Sequence, residues 1–114
     1  MAPFVYLVQL AIAEEHEDSF NQLYETGYIP ELLKIPGVLG CARFRLDWAD
    51  TPDIPEYLAL YDIENPEIPR SEAWRQASIS CGWAKTIRPH LHVRRHGMYR
   101  RIGGSLQVEP TPPF

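Results

Sequence analysis

Four stretches of this chain have the β-branched and aromatic make-up of strands, and only the gaps after the first and the third have helical period. No other feature limits the possible folds as much. "FVYLVQLAIA" (Phe4 to Ala13) is a continuous apolar run between Pro3 and Glu14, interrupted only by Gln9, as in a strand buried on both faces. "VLGCARFRLDW" (Val38 to Trp48) alternates instead. Ala42, Phe44, Leu46 and Trp48 fall on one face, and Cys41, Arg43, Arg45 and Asp47 on the other. "YLALYDI" (Tyr57 to Ile63) is the third strand. "HLHVRRHGMYRRI" is the fourth, with a bulge expected at Gly97.

In the first gap, Phe20, Leu23, Tyr24 and Gly27 recur at i, i+3, i+4 and i+7, one stripe of a helix. Glu14, Glu15, Glu17 and Asp18 crowd its positive end. The helix is expected to stop near Thr26, because Pro30 has no N–H and its ring meets the carbonyl four residues back. Pro30 also pushes Ile29 out of helical geometry and suits the start of a new helix. Gly27-Tyr28-Ile29 thus reads as a hinge that re-aims Tyr28. In the second gap, Ser71 is the N-cap; Trp74, Ala77, Ser78 and Cys81 form the buried stripe; Gly82 is the C-terminal cap. A short amphipathic piece with Trp83, Ala84 and Ile87 then runs to Pro89.

The order βαββαβ is the split βαβ, or ferredoxin-like, arrangement: a four-stranded antiparallel sheet with two helices on one face. Nothing in 114 residues is left to cover the other face, so a symmetric homodimer is expected. Residues 1–103 make one domain and 104–114 an extended tail, in which Leu106 and Phe114 are candidates to dock on a neighbour. A net charge of −4 argues against nucleic acid as the main partner. No run approaches the ~20 apolar residues of a membrane span, and the acidic N-terminal region does not resemble a secretory signal. Cys41 and Cys81 lack disulfide or metal-ligand spacing, so a reduced, cytoplasmic protein without a structural metal is expected.

"FNQLYETGYIPELLKIPGV", "YLALYDI" and "AWRQA…GWAKTIRPHL…MYRRI" resemble the dimeric α+β barrel superfamily, most of all its EthD-like and related small members, from Phe4 to Ile102. The resemblance implies the fold and the homodimer. It leaves the reaction open, because the superfamily hosts cofactor-independent decarboxylases, polyketide cyclases, lactone isomerases, monooxygenases and haem enzymes. Similar proteins usually carry His just before "IPELL"; this chain has Tyr28, a poor base at neutral pH but a good hydrogen-bond donor.

The candidate catalytic pair is Tyr28, as oxyanion donor, and His90, as acid or base, with His92 competing and His16 and His96 read as solvent-facing. Tyr24, Phe44, Arg45, Tyr61, Trp74 and Trp83 are the candidate walls of an apolar substrate pocket; singly, each is equally explained as core. Arg43 and Arg45 serve a substrate anion only if their face looks into the cleft. The expected function is a lyase, cyclase or isomerase that works, without metal or organic cofactor, by acid–base chemistry on an aromatic or polyketide-like small molecule. A cofactor-independent monooxygenase of phenols and a non-catalytic binding dimer are the alternatives.

Overall fold

In a computed structural model of the chain, which describes residues 2–104, the elements follow the expected order. Strand β1 spans Phe4–Ile12, β2 Val38–Arg45, β3 Tyr57–Ile63 and β4 Leu91–Arg100. All neighbours are antiparallel, in the order β2-β3-β1-β4. The expected tail lies outside the described residues apart from its first position.

Strand β1 alternates more than its composition suggests. Val8, Leu10 and Ile12 are buried under the helices, whereas Val5, Leu7, Gln9 and Ala11 are half-buried on the opposite face. Register assigns the other strands to the same two sides. Tyr57, Ala59, Tyr61 and Ile63 of β3 face the helices, as do Cys41, Arg43 and Arg45 of β2 and Arg94 and His96 of β4. Ala42 and Phe44 therefore lie with Leu58 and Leu60 on a face that no helix covers, where Phe44 is 50% exposed. Strand β2 ends at Arg45, so Leu46, Asp47 and Trp48 belong to the loop before β3, and Trp48 is 78% exposed.

The expected hinge does not form. Helix α1 (Glu17–Leu23) passes through a π-helical turn, Tyr24–Tyr28, directly into α2 (Ile29–Leu32). Ile29 keeps helical dihedrals, φ −58° and ψ −47°, and its N–H reaches back five residues to the Tyr24 carbonyl. The extra residue in that turn widens it where the Pro30 ring would otherwise meet the Thr26 carbonyl. The disturbance that Pro30 demands is thus absorbed within the helix. Gly27 sits in the wide turn beside Leu23 and Cys81; a Cβ there would come within 2.8 Å of the Leu23 side chain.

Helix α3 (Glu72–Ser80) begins at Ser71, whose hydroxyl accepts the Trp74 N–H at 3.2 Å, and buries Trp74, Ala77 and Ser78. Gly82 takes φ +90°, reversing the chain into α4 (Trp83–Thr86). Gly97 pairs regularly with Leu7; the irregularity in β4 lies instead opposite Ala11 and Ile12. No helix among the described residues is long and apolar enough to cross a membrane.

Candidate functional site

Between α3, α4 and the β1–β4 half of the sheet lies a cavity of about 320 Å³. Its aromatic walls are Tyr6, Tyr28, Tyr61, Trp74 and Trp83, and His96 and Arg94 of β4 reach it from the sheet. Each wall follows from a local rule. Tyr6 belongs to the inward stripe of β1. Trp74 and Ser78 lie one turn apart on α3. Trp83 is turned inward by the left-handed Gly82. The π turn sets Tyr24 and Tyr28 against Trp83, at ring-centroid distances of 5.0 and 4.8 Å, and Tyr28 stacks on it with 25° between planes.

Of the residues singled out from sequence, Tyr28, Tyr61, Trp74 and Trp83 line this cavity. The others lie elsewhere. Tyr24 is behind the wall, 2% exposed, its hydroxyl 2.5 Å from that of Tyr61. Phe44 is on the uncovered face of the sheet. Arg45 projects at the β2 edge and pairs with Glu56 at 2.8 Å. Its neighbour Arg43 bonds Glu25 and Asn21 and covers the Tyr24 ring at 4.4 Å. His90 and Tyr28 are not brought together: His90 is exposed and stacks on His16 at 3.8 Å. The imidazole that borders the cavity is His96, which is exposed to solvent as expected and also reaches the pocket. The signal that locates it is register, since His96 pairs with the buried Val8.

Electrostatics divide these groups by role. Burial pushes the Tyr28 phenol up to about 12, with Trp74 and Arg88 pulling partly back, so it is a neutral donor. Burial also raises Tyr6, against Arg94 and Arg70. For His96 burial acts downward, reinforced by Arg94 and then Arg88, which keeps the imidazole neutral at pH 7. A neutral imidazole beside neutral phenols and guanidinium groups can accept a proton and hold the resulting anion. Among the described residues no group of three or more His, Cys, Asp or Glu side chains is placed to hold a metal ion.

No protein-family model matches the chain, and no curated protein matches it. Solved structures do. An EthD-family protein from Bacillus halodurans C-125 superposes with a TM-score of 0.61 at 15% identity, over 87% of this chain and 99% of that one. A putative antibiotic biosynthesis monooxygenase from Bordetella bronchiseptica gives 0.65 at 14%, over 90% and 99%. A dimeric ferredoxin-like protein of unknown function from Thermobifida fusca gives 0.58 at 13%, over 86% and 90%. This chain therefore shares the ferredoxin-like α+β fold of these solved structures.

Proposed function

We propose that this protein is a small-molecule enzyme acting on aromatic or polyketide-like compounds in the cavity between helices and sheet, by chemistry that starts with proton abstraction. One observation carries the reading: His96, held neutral, shares the cavity wall with the neutral phenol of Tyr28 and with Trp74 and Trp83. The acid–base role falls to His96 rather than His90, which lies off the cavity. In the first step the imidazole takes a proton from an acidic C–H or phenolic O–H, and the electron pair left behind delocalises over the ring or an adjacent carbonyl. Tyr28 donates to the oxygen that gains this charge. Return of the proton at another carbon gives isomerisation. Attack of the carbanion on a carbonyl carbon of the same molecule, with the proton returned to the carbonyl oxygen, gives cyclisation. Loss of CO₂ from a carboxylate, with the proton delivered to the carbon left behind, gives decarboxylation.

A second reading shares the first step. The Bordetella structure with this fold is described as a putative monooxygenase. In that case the delocalised phenolate passes electrons to molecular oxygen as co-substrate. The open sheet face, with Phe44, Leu58 and Leu60, is proposed to pack on a second copy, in line with the dimeric Thermobifida protein. The reduced cysteines Cys41 and Cys81 suit action in the cytoplasm.

The test is turnover of a panel of hydroxylated aromatics and polyketide-like acids in D₂O. NMR reads deuterium incorporation or product, and an electrode reads oxygen uptake. Deuterium or product without oxygen loss supports proton-transfer chemistry, and stoichiometric uptake supports the monooxygenase. His96→Gln is expected to lower either rate about 100-fold or more, with His90→Gln near wild type. Binding without turnover across the panel would leave only the non-catalytic dimer.

A further inference from the structure

The cavity holds more positive charge than acid–base chemistry on a neutral aromatic needs. Arg70, Arg75, Arg88 and Arg94 line it, against the single carboxylate of Glu72. That carboxylate is taken, because Arg75 holds both its oxygens at 3.0 and 2.8 Å and Gln76 adds a third hydrogen bond at 2.9 Å. Arg70, Arg88 and Arg94 have no such partner among the described residues, unlike Arg43, Arg45 and Arg75, which are held in ion pairs. The Nε of Arg88 is buried and donates to nothing. Three uncommitted guanidinium groups thus converge on one cavity of a chain whose net charge is −4.

Arg70 and Arg94 are exposed and keep their hydration, but like charges gathered without a counter-charge repel each other, and the buried Arg88 Nε loses its hydration with no acceptor in return. Arginines kept only for solubility need neither converge on one cavity nor leave a buried nitrogen without an acceptor. From this convergence we infer that the natural ligand is an aromatic compound bearing a carboxylate, held by Arg88 with Arg70 and Arg94. The inference rests on the proposed use of the cavity and specifies the ligand. A planar carboxylate matches the guanidinium fork and leaves the ring to lie along Tyr28, Trp74 and Trp83. Inorganic phosphate would satisfy the charge but leave the aromatic wall unused. The carboxylate also brings a negative charge beside His96, which makes the imidazole a stronger base once substrate is bound.

The experiment compares 2-naphthoate with its uncharged isostere 2-naphthamide by isothermal titration calorimetry, on the full chain. Wild type is expected to bind the acid about 10- to 100-fold more tightly than the amide, the gap narrowing with added NaCl. Arg88→Gln, and independently Arg94→Gln, should erode that gap while the amide binds as in wild type, which also shows an intact cavity. Equal binding of acid and amide by wild type would overturn the carboxylate assignment yet leave the aromatic cavity standing. Inorganic phosphate binding as tightly as naphthoate would overturn it in favour of a phosphate site. Binding of neither aromatic would remove the proposed use of the cavity as well.

Discussion

The buried tyrosine pair behind the cavity gives the sharpest test of the packing. Tyr24 and Tyr61 are 2% and 1% exposed, and their hydroxyls are 2.5 Å apart, each serving the other as donor or acceptor. Tyr61→Phe removes Tyr24's partner and leaves a buried hydroxyl with no other recorded hydrogen bond, a loss of about 1–3 kcal/mol. Tyr24→Phe takes the tyrosine partner from Tyr61 instead, leaving it the Cys41 thiol. Because the Cys41 thiol remains as a weak partner for the Tyr61 hydroxyl, this loss should sit nearer the lower end, about 1 kcal/mol. At roughly 4–8 °C per kcal/mol for a domain near this size, Tyr61→Phe should lower Tm by about 5–20 °C. The double variant replaces both partners by apolar groups of the same shape and should be less destabilised than Tyr61→Phe alone. Thermal unfolding of wild type, both single variants and the double closes the cycle. Strict additivity of the two losses would refute the shared bond.

Other outcomes follow from the same packing. Burial raises the Cys41 thiol from 9.0 to about 11, against the opposing pull of Tyr61 and Arg43. A raised folded-state value means stability that is full below about pH 9 and is lost as pH climbs toward 11, so urea midpoints should fall across that window and fall less in Cys41→Ala. Gly82→Ala, at φ +90°, should cost about 1–2 kcal/mol in chemical denaturation. If the protein is the proposed dimer and the open face its interface, Phe44→Glu should sediment as a monomer without loss of secondary structure. An unchanged dimer would move the contact elsewhere.

The layout of the fold was legible because strand and helix periods alternate cleanly, and Ser71 and Gly82 act as the caps their types suggest. The Pro30 rule located the disturbance correctly but not its form. A hinge and a π turn cost the backbone differently, and Trp83, fifty-three residues beyond Pro30, packs on Tyr24 and Tyr28 across the wide turn. The side of the sheet that Arg43 and Arg45 share was not legible either, since β2 alternates without showing which face the helices cover. Tyr28, Trp74 and Trp83 were readable as wall residues because large aromatics on inward stripes meet wherever two helices share a sheet. His96 was within reach: counting the pleat from Val8, Leu10 and Ile12 puts it on the helix side. The basic run around it masked that count, and Pro89 drew attention to His90. Arg88 sits in a short turn with no period, and only the assembled cavity shows its use.

The most direct measurement is an NMR titration of the four imidazoles, His16, His90, His92 and His96, with 3-hydroxy-2-naphthoate added at fixed pH. The account expects large shifts at His96 and a rise in its pKa on binding, with His16, His90 and His92 nearly still. Shifts at His90 with His96 unmoved would contradict it and place the ligand outside the cavity between helices and sheet.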